Sequence, residues 1–99
     1  AAESGFREGL ALARRLYGDD RYPTWRARSS MAWFLTAKGQ PERAIAEFHT
    51  VCPRLRELLG EHAFDFGSCT FNWANAWAAT GRYEKAIATY RETANIYSG

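Results

Sequence analysis

The sequence repeats itself, because a constant shift of 42 residues aligns one part of the chain with the next without a gap. The shift places Gly39 on Gly81, and the run Ala44-Ile45-Ala46 on Ala86-Ile87-Ala88. Further identities pair Phe6 with Phe48, Arg14 with Arg56, Leu16 with Leu58, Gly18 with Gly60, Ala32 with Ala74, Ala37 with Ala79 and Glu42 with Glu84. A period of roughly 20 to 50 residues is typical of arrays in which each copy is one supersecondary unit that packs on its neighbours.

Within each unit the apolar residues follow the three-to-four spacing of an α-helix. In the first unit these residues are Trp25, Met31, Ala32 and Leu35, followed by Ala44, Ile45, Phe48, Val51, Leu55 and Leu58. Gly39 and Gly81 stand where a left-handed residue would end one helix, and Pro41 suits the start of the next. The pattern predicts helices over 3–17, 24–38, 41–59, 66–80 and 83–97.

The predicted fold is therefore all-α, with about five helices in stacked antiparallel pairs. We expect one domain over 1–99, in which 1–18 is the second helix of an incomplete repeat, 19–60 the first complete repeat and 61–99 the second. The chain starts with Ala1-Ala2 rather than Met and ends just after a helical pattern. We therefore expect it to be a piece of a longer protein.

Two details of packing follow from residue size and shape. Ala32, Ala44, Ala74 and Ala86 are expected where neighbouring helices approach closely, because larger side chains would hold the helices apart. Pro53 falls inside the long third helix, where it removes a hydrogen bond to the carbonyl of His49. We expect a kink there or a break into two shorter helices.

Cys52 and Cys69 lie far apart in the sequence and form no CxxC motif. A disulfide between them is the alternative interpretation, but the sequence favours two reduced cysteines that behave as small apolar side chains. Reduced cysteines fit a cytoplasmic location, which is the compartment we expect.

Composition argues against several classes of function. The formal net charge is +2 and the longest basic run is Arg14-Arg15, so binding to nucleic acid or to a membrane surface is not indicated. No apolar stretch approaches the roughly 20 residues that span a bilayer. The two histidines, His49 and His62, have no suitably spaced Cys or carboxylate partners, so we expect no metal or cofactor. We also find no combination of residues that indicates an enzyme.

Small and aromatic residues recur at matching places in the two complete units. They are Met31-Ala32, Gly39, Ala44-Ile45 and Phe48 in one unit, and Trp73-Ala74, Gly81-Arg82-Tyr83, Ala86-Ile87 and Tyr90 in the next. This set resembles a tetratricopeptide repeat. The long, 42-residue period resembles the kinesin-light-chain type, which recurs in bacterial signalling and regulatory proteins. The linkers over 17–25 and 59–66 are degraded versions of the linker of that type and lack its His-Pro pair.

The resemblance implies a right-handed superhelix with a concave face that binds a peptide or helix of a partner protein. The first helix of each pair lines that face. The candidate partner-binding residues are Arg26, Ser29, Ser30, Trp33, Phe71, Asn72 and Asn75.

Each candidate side chain has an ordinary alternative. Asn72 and Asn75 lie three residues apart on one helical face, where amides can hold a peptide backbone or simply meet water. Trp33 and Phe71 suit partner anchoring or packing against a neighbouring helix. Arg26 can pair with a partner carboxylate or remain solvated.

A protein-interaction module is the leading functional hypothesis. The alternative is a structural or oligomerisation segment of a larger bacterial transcription regulator or signalling ATPase. Terminal repeats expose apolar faces unless they are capped, which favours self-association through the end helices. The apolar residues concerned are Phe6, Leu10, Leu12 and Leu16 at one end, and Tyr90, Ile96 and Tyr97 at the other.

Overall fold

The computed structural model of the chain describes residues 2–98, and these form five α-helices and no strand. The helices are α1 (Ala2–Tyr17), α2 (Tyr22–Ala37), α3 (Pro41–Leu59), α4 (Phe64–Ala79) and α5 (Tyr83–Ser98). The predicted all-α class and the five helices are confirmed, and every predicted helix end lies within two residues of the observed one. No helix in this part of the chain has the length and apolar character to cross a membrane.

The backbone of the turns repeats together with the sequence. A glycine with positive φ follows each of the first four helices at equal intervals along the chain: Gly18 (85°), Gly39 (88°), Gly60 (103°) and Gly81 (80°). After α2 the N–H of Gln40 donates to the carbonyl of Leu35 at 2.8 Å, and after α4 the N–H of Arg82 donates to Trp77 at 3.1 Å. This bond around a left-handed glycine is the Schellman ending of a helix. The period of the sequence is thus a period of hydrogen bonding as well as of residue types.

Each helix packs against the next one in the chain, and α2 also contacts α4. Within residues 2–98, α1, α3 and α5 bring no Cα atoms within 8 Å of one another. The first helices of the two pairs, α2 and α4, therefore lie side by side. The second helices, α3 and α5, and the leading helix α1 do not contact one another.

The core lies between these helices, and its tightest points carry alanine. Ala32, Ala44 and Ala74 are fully buried and Ala86 is 2% exposed, so the expected placement of small residues inside the helix packing is confirmed. Phe48 is fully buried beside them. The large ring fills space in the core that the small side chains leave open.

Pro53 does not break α3, which runs as one helix from Pro41 to Leu59. Of the two expected outcomes, the break into two helices is wrong, and the kink stays a prediction. Pro53 and His49 are both exposed. Water can therefore bond the His49 carbonyl that the proline ring deprives of its N–H partner, so the cost is small enough for the helix to continue.

Cys52 of α3 and Cys69 of α4 are joined in a disulfide, with 5.7 Å between their Cα atoms. The expectation of two reduced cysteines is wrong. Both residues are 1% exposed, because α3 and α4 pack side by side and bring them together inside the core. Disulfides are characteristic of oxidising compartments. The observation on which the cytoplasmic expectation rested is thereby removed.

Candidate partner-binding groove

An open groove of about 490 Å³ runs between α2 and α4 and is closed at one side by α1. It is lined by Phe6, Arg26, Ser29, Ser30, Trp33, Leu55, Phe64, Asp65, Ser68 and Asn72. Five of the seven candidate residues are among them. Arg26, Ser29, Ser30 and Trp33 share one wall because their spacing puts them on one face of α2, and Asn72 stands on the opposite wall, on α4.

Trp33 is the large apolar side chain that this groove offers on α2. Its ring centroid lies 6.4 Å from that of Phe6 in α1, yet 46% of the residue remains exposed. The packing alternative for Trp33 is therefore observed in part, and anchoring of a partner by the exposed remainder stays a prediction. One edge of the ring packs against the neighbouring helix, while the rest is open to a ligand. A ring held in this way loses little rotamer freedom when a partner covers it.

The polar groups on the two walls retain free hydrogen-bonding capacity. The Ser29 hydroxyl lies 3.6 Å from the sulfur of Cys69, within reach of a weak hydrogen bond. The side chains of Arg26, Ser30 and Asn72 form no hydrogen bond or ion pair with another residue between 2 and 98. An amide offers both donors and an acceptor, and an arginine offers donors in a fork. These walls can therefore bind a peptide backbone and a carboxylate.

One end of the groove is held by a contact between the starts of α2 and α4. The Tyr22 hydroxyl donates a hydrogen bond to the Asp65 carboxylate. That bond, together with burial and the charge of Asp65, raises the pKa of Tyr22 above its usual range, and the nearby Arg26 opposes the rise. The contact fixes the spacing of the two walls, because its partners belong to different helices.

The structure separates Phe71 and Asn75 from the other candidates. The Tyr90 hydroxyl donates to Oδ1 of Asn75, and the Phe71 ring centroid lies 5.7 Å from that of Tyr90. Both side chains thus face α5, and neither lines the groove. Phe71 remains 48% exposed, slightly more than Trp33.

Sequence reasoning missed Phe6, Leu55, Phe64 and Asp65 as groove residues. Phe64 and Asp65 were assigned to the linker because α4 was predicted to start at 66. The 42-residue register holds a usable signal, since it places Phe64 on Tyr22, an aromatic residue at the start of α2. Phe6 and Leu55 belong to second helices, which the resemblance assigns to the other face.

The residues that the structure describes contain no group of three or more His, Cys, Asp or Glu side chains that could hold a metal ion. Comparison with protein-family models, with curated proteins and with solved structures finds no match for the chain.

Proposed function

We propose that the chain is a protein-interaction module of the tetratricopeptide-repeat kind, which binds a peptide or helix of a partner in the groove between α2 and α4. The supporting observation is that Arg26, Ser29, Ser30, Trp33 and Asn72 line one open groove. Tryptophan and arginine are among the residue types enriched in binding hot spots, and this groove offers both in Trp33 and Arg26.

The family is supported by the repeat itself. Helix, glycine turn and helix recur with the 42-residue period, and the turns after α2 and α4 close with the same backbone bond. Two first helices side by side suit the architecture that the resemblance implies. The setting in a larger bacterial regulatory protein stays a prediction, whereas the cytoplasmic location has lost the cysteine argument on which it rested.

The charges in the groove indicate the chemistry of the ligand. Arg26 and Asp65 lie in the same groove, but Asp65 is already bonded by Tyr22. Asp65 keeps its negative charge in that bond, whereas Arg26 forms no hydrogen bond or ion pair with another residue between 2 and 98, so we assign its guanidinium to a carboxylate of the partner. We expect the ligand to carry a carboxylate near Arg26, an apolar side chain against Trp33, and a main-chain amide opposite Asn72.

This proposal is tested by selecting ligands from a displayed random-peptide library on the folded chain and measuring their affinity by calorimetry. Trp33→Ala should weaken the selected peptides by about 2 kcal/mol, or roughly thirtyfold, because a hot-spot aromatic is lost. Asn72→Ala should weaken them by about 1 kcal/mol.

Phe71→Ala is the matched control, since Phe71 is an equally exposed aromatic on the other face of α4. It should leave the affinity unchanged. Peptides that respond to Phe71→Ala but not to Trp33→Ala would show that binding occurs elsewhere.

A further inference from the structure

The disulfide lies directly behind the groove between α2 and α4. The Ser29 hydroxyl on the α2 wall lies 3.6 Å from Cys69 Sγ. Asn72, one turn beyond Cys69, lines the α4 wall, and Leu55, one turn beyond Cys52, lines the groove from α3. The cross-link therefore joins α4, which carries one wall, to α3, which packs against both α2 and α4.

Opening the disulfide changes the position of α4 relative to α3. Both cysteines are 1% exposed, so their sulfur atoms lie in the packed core. Two unbonded sulfur atoms need more room than two bonded ones, and a packed core accommodates added volume by shifting its elements. A shift of α4 alters the spacing of the two groove walls, because the contact of Tyr22 with Asp65 holds the groove at one end.

We propose that the Cys52–Cys69 disulfide is a redox switch for the groove, in which the oxidised chain binds the partner peptide and a small dithiol releases it by reducing the bond. This inference rests on the function proposed for the groove. In the oxidised chain the cross-link fixes the spacing of the walls before the peptide arrives, so binding orders fewer groups. The reduced chain has to recover that spacing at the expense of affinity.

A reductant has a path to the disulfide from the opposite side of the fold. A second groove, of about 460 Å³, lies over α4 between α3 and α5, and both Cys52 and Pro53 line it. Its walls are free to separate, because within residues 2–98 α3 and α5 bring no Cα atoms within 8 Å of each other. Pro53 also leaves the His49 carbonyl without its helical hydrogen bond. Cys69 lines neither groove, so Cys52 carries the sulfur that is attacked.

The exchange balances with the dithiol as the electron donor. One thiolate of the dithiol bonds to Cys52 Sγ, and the disulfide bond breaks with its electron pair on Cys69 Sγ. The Ser29 hydroxyl donates a hydrogen bond to that sulfur and so stabilises the departing thiolate. The second thiolate of the dithiol then displaces Cys52 and closes a disulfide within the reductant. Each cysteine thiolate takes up a proton, so the protein gains two electrons and two protons.

Peptides that are selected on the oxidised chain and depend on Trp33 test the switch. Fluorescence anisotropy of a labelled peptide, with and without dithiothreitol, should show at least about tenfold weaker binding to the reduced chain. Because the coupling is reciprocal, a saturating peptide should make the reduction potential of the disulfide more negative by about 30 mV for each tenfold difference in affinity. A disulfide that only stabilises the fold would keep its potential when the peptide binds.

Two variants separate the switch from a general loss of stability. Ile96→Ala creates a cavity in α5, which contributes no residue to the groove between α2 and α4. It should destabilise the chain about as much as loss of the cross-link and leave the affinity of the oxidised chain unchanged. The Cys52→Ala, Cys69→Ala double variant should bind the peptide equally well with and without dithiothreitol.

The outcomes distinguish this inference from the function on which it rests. Equal affinity of Trp33-dependent peptides for the oxidised and reduced chains would overturn the switch and leave the groove's function intact. A reduced chain that has lost its helices by circular dichroism would also overturn it, because release would then follow from unfolding. A monothiol adduct on Cys69 and not on Cys52, after brief treatment and rapid alkylation, would contradict the path of attack. Selected peptides that ignore Trp33→Ala would contradict the function proposed for the groove itself.

Discussion

Equivalent positions of the two repeats carry different side chains whose sizes compensate. Trp25 in α2 corresponds to Gly67 in α4, and Leu55 in α3 corresponds to Tyr97 in α5. A Cβ built on Gly67 would lie 2.6 Å from Cε1 of Tyr97, so the tyrosine ring occupies the space that a side chain at 67 would need. In the first repeat the large ring comes from the first helix, and in the second it comes from the second helix. Packing volume is thus shared between helices and not assigned to single positions.

Ala32 and Ala86 are buried in the packed core, so a larger side chain at either position should destabilise the fold. Ala86→Leu should lower the free energy of unfolding by about 1–3 kcal/mol, because three extra carbon atoms must enter a packed core. Ala32→Leu should do the same. The matched control is Ala88→Leu in the same helix, where the side chain is exposed and the change should be near neutral. Urea denaturation measures all three variants. An Ala86→Leu protein as stable as wild type would contradict the packing described for α5.

At the scale of whole elements, the loop that precedes each first helix is fastened to the second helix of the same pair. Asp20 accepts hydrogen bonds from Arg54 Nε and Nη2 at 2.9 and 2.8 Å, and also from Trp25 Nε1 at 2.9 Å. One repeat later, His62 Nδ1 lies 2.9 Å from the carbonyl oxygen of Ile96. The 42-residue shift relates Asp20 to His62 and Arg54 to Ile96. The fastening point is therefore repeated although its chemistry changes from an ion pair to a hydrogen bond.

The ion-paired version makes stability depend on pH in a defined direction. Hydrogen bonds from Arg54 and then from Trp25 lower the pKa of Asp20 below its ordinary value of 3.8, against the effect of desolvation. Because the folded pKa is the lower one, the stabilisation is present above pH 3.8 and is lost as the pH falls through the folded pKa. Asp20→Asn should lower the melting temperature at neutral pH and should flatten its fall below about pH 4. Thermal denaturation followed by circular dichroism from neutral to acid pH measures both effects. Equal acid sensitivity of the two proteins would rule out this contribution of Asp20.

At the scale of the molecule, the disulfide ties the two repeats together. Cys52 belongs to the repeat over 19–60 and Cys69 to the repeat over 61–99, and the cross-link lies inside the interface of α3 and α4. Neighbouring units of a repeat protein depend on their shared interface for stability. A covalent bond at that interface makes separation of the repeats less favourable than noncovalent packing alone would.

Reduction of the disulfide should therefore destabilise the whole chain. The cysteines are 17 residues apart. Closing a loop of that size removes about 3 kcal/mol of unfolded-state entropy. Chemical denaturation with and without a reductant should show a loss of about 2–4 kcal/mol in the free energy of unfolding. The Cys52→Ala, Cys69→Ala double variant is the control and should not respond to reductant. Two free thiols in the native protein, detected by mass spectrometry after alkylation, would contradict the cross-link.

The sequence by itself determined the helices, the turns and the period, because these depend on local interactions. Helical spacing, left-handed glycines and a proline at a helix start act within a few residues, and the 42-residue register repeats them. The same local logic placed Arg26, Ser29, Ser30 and Trp33 on one face of α2. The burial of Ala32, Ala44, Ala74 and Ala86 between helices was also predictable, because only small residues permit helices to approach closely.

Only the tertiary structure decided which side chains meet across helices. The rotation of α4 about its axis turned Asn75 and Phe71 towards Tyr90 and left Asn72 in the groove. The same packing brought Cys52 against Cys69 and joined Tyr22 to Asp65. These contacts link residues that are from 15 to 43 positions apart. No local pattern specifies them, since they depend on how neighbouring helices are rotated and spaced when the whole core packs.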